Sequence, residues 1–244
     1  MSKFEEYIKK YEDIHTGKSG FQTIVDGVVK KTSEHFGDGV EFVKKVFPYI
    51  HNLIEQKGRA VTILDYGCGQ AFQTFNPSYP TWQNTVLRSG DTIHTYFKGM
   101  IQSYYCYDPA VPRYSRKPDI GTTFDMVVMA DVLEHIPEEH VVDVLKEVFL
   151  YCKEDGVAIF TISGNLAYSH FEDGENAHIT RRSMEWWLEV IKSACNGISH
   201  VVRYTNNEFY KETDGKINCK TTHVNSAKYQ IPSKHEMWIK KYDK

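Results

Sequence analysis

The chain has 244 residues, of which 41% are hydrophobic and 25% are charged, so a folded globular protein is expected and a disordered one is excluded. Lys and Arg total 29 against 32 Asp and Glu, which gives a formal net charge of −3. This balance provides no broad cationic field, so nucleic acid is an unlikely partner. The length fits one domain, because domains run from ~50 to ~250 residues.

Membrane and secretion signals are not found in the sequence. The segment Met1–Glu6 lacks the apolar stretch of a secretion signal, and no later segment has the ~18 consecutive apolar residues of a membrane span. Five scattered cysteines form no CxxC pair, which argues against a disulfide framework and a structural zinc site. We therefore expect a cytoplasmic protein with reduced thiols and predict no metal site and no membrane contact; the oligomeric state stays open.

The N-terminal segment predicts a helical lead-in. Amphipathic patterns cover Lys3–Tyr11 and Val40–Gln56, with glycine-bearing stretches between them. Pro48 lies inside the second pattern, and an internal proline ends or kinks a helix. We therefore expect two helical pieces there, or a bend near Val46 and Phe47.

Beyond the lead-in, short apolar runs rich in β-branched residues alternate with helical patterns. The predicted strands are Ala60–Leu64, Ser103–Tyr107, Phe124–Met129 and Val157–Ile162, and the predicted helices are His140–Cys152 and Ser183–Ala194. Such alternation is typical of right-handed βαβ crossovers. We predict a Rossmann-like α/β fold, a mostly parallel sheet with helices on both faces.

Two segments depart from this alternation. Ile198–Tyr204 and Glu236–Tyr242 predict strands joined by a long polar segment, and hence an antiparallel C-terminal hairpin at one edge of the sheet. Phe72–Gly99 is interrupted by proline- and glycine-bearing stretches, so it is predicted to be an elaborated loop plus a helix.

A glycine turn follows the first predicted strand, with the sequence Asp65-Tyr66-Gly67-Cys68-Gly69-Gln70. Ligands of open parallel sheets bind outside the carboxyl ends of the strands, where glycines let the backbone approach them closely. Asp65 is placed to orient backbone amides or meet a ligand amine, and Asp108, at the next strand end, to accept hydrogen bonds from ribose hydroxyls. The third glycine of GxGxxG is missing, which disfavours a dinucleotide.

Three segments resemble, in the same order, the class I S-adenosylmethionine-dependent methyltransferases: Leu64–Gly69, Tyr107–Val111 and Phe124–Ile136. The resemblance implies S-adenosyl-L-methionine as the cofactor, with its methionine part at the first motif and its ribose at the second. It implies that the third segment borders the transfer site. The implied cofactor-binding residues are Asp65, Tyr66, Gly67, Cys68, Gly69, Gln70, Asp108, Pro109, Ala130, Asp131 and Val132.

A narrower resemblance is to phage and bacterial methyltransferase-like proteins of poorly defined substrate. It rests on Tyr107–Pro112, Asp131–Glu139, Asn176–Thr180 and the pair Trp186-Trp187. The chain departs from the family where the span from Asp108 to the next strand is too short for a full helix-plus-strand unit. We therefore expect the third strand to be missing or vestigial, and we assign no adenine-binding residues.

Catalytic candidates come from the chemistry of methyl transfer, an in-line displacement that needs alignment and, for a hydroxyl acceptor, a base. Histidine suits that task near neutral pH. His178, after the last predicted parallel strand of the core, is the first candidate; the alternative is that it fixes a polar loop with Asn176 while Thr180 caps the following helix. Asp131 and His135 share a face if Val132–Ile136 forms a helical turn; the alternative is that Asp131 caps this turn and His135 packs against it.

Two further features have alternative interpretations. Tyr11 and His15 would fold over the cofactor as a lid, or they would simply end an exposed helix. Trp186 and Trp187 would line an acceptor pocket, yet adjacent helical positions point about 100° apart, so at most one can face a given surface. Core packing is the expected role for one of them.

The leading functional hypothesis is methyl transfer to an oxygen or nitrogen of a small molecule or a glycan sugar. A nucleic-acid or protein methyltransferase would need a basic groove, and Arg113, Arg116 and Lys117 are the only compact cluster near the open end of the sheet. A third hypothesis is a non-catalytic S-adenosylmethionine-binding module. We expect one domain over 1–244, with a helical extension at 1–59, a cofactor-binding core at 60–164, and a substrate-side helix and C-terminal strands at 165–244.

Overall fold

The computed structural model describes residues 2–25, 28–32, 40–71, 96–195, 197–211 and 217–227. The helices in these ranges are α1 Lys3–His15, α2 Val40–Lys57, α3 Glu138–Leu150 and α4 Met184–Ala194. The strands are β1 Phe21–Val25, β2 Val28–Thr32, β3 Val61–Tyr66, β4 Ile101–Tyr107, β5 Phe124–Ala130, β6 Cys152–Ser163, β7 Ser169–His170, β8 Ser199–Lys211 and β9 Ile217–Ala227. Short 3₁₀ turns lie at Pro112–Tyr114 and Leu133–His135.

The main sheet has six strands in the order β4-β3-β5-β6-β8-β9. The first five run parallel, and β9 pairs antiparallel with β8 along the edge. This arrangement confirms the Rossmann-like, mostly parallel sheet and the antiparallel hairpin near the C-terminal end. The hairpin uses Ile217–Ala227 as its second strand, and the predicted strand at Glu236–Tyr242 lies outside the described residues.

Side chains alternate between the two faces of the sheet, and each face is buried under helices. The face toward α3 and α4 carries Leu64, Val127, Met129, Ala158, Phe160 and Val202. The face toward α2 carries Val61, Ile63, Met126, Val128, Ile159 and Val201. Each fully buried side chain of this size contributes roughly 1.5–3 kcal/mol to folding, which holds the helices on both faces as predicted.

The helix α1 and a second, smaller sheet form a third apolar cluster. The small sheet is antiparallel, in the order β2-β1-β7. Tyr7, Tyr11 and Phe21 pack there with Phe171 and Ala177. A capping box at Ser2 starts α1: the Ser2 hydroxyl accepts a hydrogen bond from the Glu5 backbone N–H, and the Glu5 carboxylate accepts one from the Ser2 N–H. The N-terminal region thus adds a packed layer beside the main sheet.

The expected division of the second lead-in pattern into two helical pieces is wrong, and the alternative, a bend near Val46 and Phe47, stays a prediction. One helix, α2, runs without interruption through Pro48. An internal proline costs about 3 kcal/mol or more, because it removes a hydrogen bond and crowds the preceding turn. Val46, Ile50 and Leu53 are fully or almost fully buried against the sheet, and this packing offsets that cost.

The β1–β2 hairpin is an element that the helical lead-in did not predict. The expectation about the third strand is confirmed in the described range 96–195, where no strand lies between Tyr107 and Phe124 and β4 is the edge strand. Most of the predicted loop at 72–99 lies outside the described residues. Among the helices that are described, none combines the length and apolar character needed to cross a bilayer.

Candidate active site

A cavity of about 880 Å³ lies at the carboxyl ends of β3, β4, β5 and β6. Small-molecule sites are typically ~300–1,000 Å³, so this volume accommodates a cofactor with a small acceptor beside it. The turns after the strands form its base, and α1 contributes Phe4, Tyr7, Ile8, Tyr11 and His15 on another side. The predicted site residues other than Gln70 therefore line one cavity at the carboxyl ends of the strands.

The glycine turn is held by the neighbouring strand. The backbone N–H groups of Gly67 and Cys68 donate to the Tyr107 carbonyl at 2.7 and 3.2 Å, and the Gly69 N–H donates to Asp108 Oδ2 at 2.9 Å. Gly67 has a φ of +84°, and a Cβ placed there would lie 2.5 Å from a methyl group of Val132. Only glycine therefore fits where the turns after β3 and β5 meet.

Two carboxyl groups line the cavity at this turn, the buried Asp65 and the partly buried Asp108. Asp65 accepts a hydrogen bond from the Tyr104 hydroxyl at 3.0 Å, and burial, helped by the nearby Asp108, raises the pKa of Asp65 to about 7. Burial also raises the pKa of Asp108, while the backbone N–H groups of Ala110 and Gly69 that donate to it oppose this shift. A cationic ligand group would favour the ionised form of Asp65.

Gln70 is the one predicted cofactor residue that does not line the cavity. Its side-chain amide donates to His15 Nδ1 at 3.2 Å, and the Arg113 guanidinium donates to both its backbone carbonyl and its side-chain oxygen. Gln70 therefore ties the end of α1 to the glycine turn. The other predicted cofactor residues, from Asp65 to Val132, all line the cavity.

Asp131 ends β5 in a left-handed backbone conformation, with a φ of +55°. Its backbone N–H donates to the Thr161 carbonyl at 3.0 Å, and its Oδ1 accepts from the Thr161 hydroxyl at 2.7 Å. The alternative that Asp131 caps the next turn is wrong, because Val132 is the N-cap of that 3₁₀ turn and no side chain caps it. Asp131 and His135 both line the cavity.

The imidazole rings of His135 and His178 meet edge to face across the cavity, with centroids 4.8 Å apart. His135 Nδ1 lies 2.8 Å from the Ala177 carbonyl, and His178 Nδ1 lies 2.7 Å from the Asn165 carbonyl. Because a carbonyl only accepts, both Nδ1 atoms carry hydrogen. Burial, and then the proximity of His178, lower the pKa of His135 to about 3, so His135 is neutral.

The loop around His178 is fixed by hydrogen bonds. Asn176 Oδ1 accepts from the Ala167 and His178 backbone N–H groups, each at 3.0 Å, so Asn176 has the loop-fixing role considered from the sequence. Thr180 does not cap α4: its hydroxyl donates to the Ile136 carbonyl at 2.6 Å, and Ser183 is the N-cap.

Helix α1 is tied directly to both histidine segments. The Tyr11 hydroxyl lies 2.8 Å from His135 Nδ1 and donates to the Ala177 carbonyl at 3.1 Å. Tyr7 contacts Glu175 through its hydroxyl, and Lys10 Nζ lies 2.7 Å from Asp173. Tyr11 and His15 line the cavity, and the lid hypothesis remains a prediction about motion.

Several cavity residues had no role predicted from the sequence. They include Phe4, Tyr7, Ile8, the segment 163–169 and Arg181. The buried Glu134, beside the cavity, also had no predicted role, and its ligand atom lies near both histidines. Glu134 lies within the Leu133-Glu134-His135 part of the segment that resembles the methyltransferases, so this motif could have indicated a role for Glu134. The sequence does not indicate a role for the α1 residues, because they contact residues more than 120 positions later in the chain, as Tyr11 contacts His135.

The two tryptophans lie away from the cavity, while Lys117 of the basic cluster lines it. Trp187 is fully buried, as expected for one of the pair, and neither tryptophan lines the cavity. Arg116 pairs with Asp119 at 3.0 Å, and Lys117 pairs with Glu147 at 2.7 Å. These cations are neutralised locally and form no basic groove.

Comparisons with known proteins give likenesses to solved structures only. No protein-family model matches the chain, and no curated protein matches it. The fold is similar to a solved structure of the Burkholderia thailandensis 1,6-didemethyltoxoflavin-N1-methyltransferase with bound 1,6-didemethyltoxoflavin and S-adenosylhomocysteine. The match has 12% sequence identity and a TM-score of 0.42, and it covers 93% of this chain and 92% of the other. A likeness at this level does not assign a function.

Proposed function

We propose that this chain is an S-adenosyl-L-methionine-dependent methyltransferase that acts on an oxygen or nitrogen of a small molecule or glycan sugar. The main support for this proposal is the set of residues that line one cavity. Its cofactor half has the Gly67–Gly69 turn, Asp65 and Asp108, and its acceptor half has His135 and His178. The two halves meet at Asp131.

The cofactor half suits a ligand that is cationic at one end and carries hydroxyls at the other. Asp65 lies buried beside the glycine turn, where an ammonium group would offset the cost of ionising its carboxyl. Asp108 already accepts two backbone N–H bonds, and a carboxylate retains further acceptor positions for ribose hydroxyls. The methionine amine and the ribose of the cofactor match these two groups.

The acceptor half supplies a proton acceptor. In the proposed step, the acceptor oxygen attacks the methyl carbon, the sulfur–carbon bond breaks with its electron pair remaining on sulfur, and the acceptor proton passes to His178 Nε2. Hydrogen bonding of His178 Nδ1 to the Asn165 carbonyl holds the ring in the tautomer that this step needs. Asp131, fixed by Thr161, would position the acceptor.

Arg181 suggests the charge of the acceptor. Its side chain is exposed and lines the cavity, and among the described residues it makes no ion pair. An arginine at that position favours a phosphate or carboxylate group on the acceptor, since its planar fork binds such groups with two hydrogen bonds. A nucleotide sugar or an acidic sugar would fit this requirement.

Cofactor binding is tested by calorimetric titration of the full chain with S-adenosyl-L-methionine. Saturable binding at one equivalent is expected, and Asp65→Asn should weaken it. Asp119→Asn is the matched control, because Asp119 is exposed and, within the described ranges, forms an ion pair only with Arg116. If the unaltered protein shows no saturable binding, the proposed function is wrong.

Turnover is tested by a labelled-methyl transfer screen over nucleotide sugars, glycans, small metabolites, proteins and nucleic acids. Label in a small molecule or glycan supports the proposal. Label in a protein or nucleic acid would overturn the assigned acceptor class. Cofactor binding without any transfer would instead favour a non-catalytic binding module.

A further inference from the structure

Three side chains with metal-binding groups converge beside the acceptor half of the cavity, which His135 and His178 line. One ligand atom each from Glu134, His135 and His178 lies within 4.8 Å of the other two. Glu134 and His135 come from the 3₁₀ turn after β5, while His178 comes from a loop more than 40 residues later. The fold therefore brings a carboxylate and two imidazoles together from separate segments.

Both histidines are oriented as metal ligands usually are. A ligating histidine almost always donates its other ring N–H to a carbonyl, carboxylate or water, which fixes the tautomer and the ring. His135 Nδ1 lies 2.8 Å from the Ala177 carbonyl and His178 Nδ1 lies 2.7 Å from the Asn165 carbonyl. Because Nδ1 of each ring faces a carbonyl, Nε2 is the ring nitrogen that could bind a cation, and the two rings are nearly perpendicular, at 78°.

Glu134 supplies the negative charge of the set. Its side chain is completely buried, and its Oε1 accepts a hydrogen bond from the Ser163 N–H at 2.8 Å. Burying a carboxylate is costly unless a positive charge or hydrogen bonds compensate it. A cation held between Glu134 and the two imidazoles would supply that compensation.

We infer that Glu134, His135 and His178 bind a divalent transition-metal cation such as Zn²⁺ or Co²⁺. Two histidines and one carboxylate are the protein ligands of catalytic zinc sites and of non-haem iron sites, which keep open positions for water or substrate. Ligands about 2.0–2.2 Å from one ion stand no more than about 4.4 Å apart, so the 4.8 Å spread closes with a small side-chain rotation.

The consequence for catalysis rests on the proposed function. The open positions would face the cavity beside Asp131, where an acceptor oxygen could bind the ion. A bound cation lowers the pKa of a coordinated hydroxyl, so the proton would leave to water before the oxygen attacks the methyl carbon. In the metal-bound protein, His178 Nε2 would coordinate the ion, so His178 would act as a metal ligand instead of a base.

The site is tested by titrating the full chain with Co²⁺ alone, followed by visible ligand-field absorption and by calorimetry. We expect one Co²⁺ per chain, displaced by Zn²⁺, and much weaker binding of Mg²⁺, which prefers oxygen ligands. His178→Gln is the decisive variant, because this side chain is only partly buried and its loss is compatible with folding. It should weaken Co²⁺ binding at least about tenfold to 100-fold, since loss even of outer-sphere partners has effects of that size.

His200→Gln is the matched control, because His200 lies on β8 away from the cavity. It should leave Co²⁺ binding unchanged, and circular dichroism should show both variants folded. Absence of saturable Co²⁺ or Zn²⁺ binding, or equal binding by the His178→Gln variant, would overturn the metal site. Titration of chelator-treated protein with S-adenosyl-L-methionine separates the two proposals. If the protein binds the cofactor but not Co²⁺, only the proposed metal site is wrong. If it binds Co²⁺ but not the cofactor, only the proposed methyltransferase function is wrong.

Discussion

The two halves of the cavity are built in different ways. The cofactor half is made of strand ends and the turns that directly follow them, with Asp65 and Asp108 on adjacent strands and backbone hydrogen bonds between the turns. The acceptor half is assembled from the turn after β5, the loop at 163–181 and helix α1, through side-chain contacts such as Tyr11 to His135. Under the proposed function, cofactor binding therefore depends on strand ends and their turns, whereas chemistry depends on three segments that must pack together.

The largest effect is expected from His178→Gln. Removing a general base or a ligand of a catalytic ion should lower kcat by roughly 10²–10⁴-fold. The cofactor Kd should stay unchanged, because His178 lies in the acceptor half. Steady-state kinetics on an acceptor from the methyl-transfer screen, with cofactor calorimetry on the same variant, measures both. Full turnover by the folded variant would remove His178 from the catalytic machinery.

The sequence located the residues of the proposed cofactor half more directly than those of the proposed acceptor half. Gly67, Asp65 and Asp108 stand at strand ends, so hydrophobic periodicity locates them without knowledge of distant contacts. Glu134 and Tyr11 act through partners across the chain, and one sequence does not show such pairings. The β1–β2 hairpin was missed although Asp26-Gly27, a pair typical of tight hairpin turns, separates its strands in the sequence.

Pro48 and Thr180 show a different limit. Each prediction used a sound local rule, and in each the tertiary contacts prevailed: α2 continues because its buried face packs on the sheet, and the Thr180 hydroxyl bonds the Ile136 carbonyl. Local rules predict element types well in this chain. They fail where one packing contact outweighs the local preference.

The next effect tests whether the cofactor half is as rigid as its backbone bonds indicate. Gly67→Ala places a Cβ 2.5 Å from Val132 at a φ of +84°. Left-handed strain and overpacking together should lower the free energy of unfolding by ~2–4 kcal/mol, and cofactor binding should fall with it. Chemical denaturation and calorimetry measure the two losses.

Gly174→Ala is the control for Gly67→Ala. Gly174 has a φ of +86°, yet nothing lies within 4 Å of a Cβ placed there, so this variant carries the strain without the clash and should cost about 1–2 kcal/mol. Adding Val132→Ala to Gly67→Ala should restore part of the stability. Equal losses at both glycines would show that the contact between the β3 and β5 turns is unimportant.

A smaller effect is expected at Asp65. With a pKa of about 7 in the ligand-free protein, Asp65 is protonated at acidic pH, and a cationic cofactor binds its ionised form. Affinity should therefore rise as the pH increases through about 7 and then level off. Asp65→Asn should weaken binding about tenfold to 100-fold at pH 8, which is the value of a hydrogen bond to a charged group, and should flatten the pH dependence. A pH-independent affinity in the unaltered protein would contradict this role.

The same carboxyl predicts a change in stability. The folded-state pKa of Asp65 is raised from 3.8 to about 7, so the folded protein binds more protons than the unfolded chain in that window. Stability should consequently decrease as the pH rises from about 4 to about 7. Asp65→Asn should remove this decrease and raise the Tm above pH 7, while it weakens cofactor binding. Thermal unfolding across this range, with Asp119→Asn as the control, measures the difference.

The smallest effect is expected at the edge of the acceptor half. Arg181 is exposed, so its contact with an anionic acceptor is screened by solvent and should contribute about 1 kcal/mol. Arg181→Gln should raise the acceptor KM several-fold with little change in kcat, and the increase should shrink at high salt. Arg182→Gln is the matched control, because the adjacent Arg182 pairs with Glu138 and does not line the cavity. If both variants raise KM equally, or if Arg181→Gln changes kcat alone, Arg181 does not recognise the charge of the acceptor. The acceptor half would then select its substrate by shape or by coordination at the histidines.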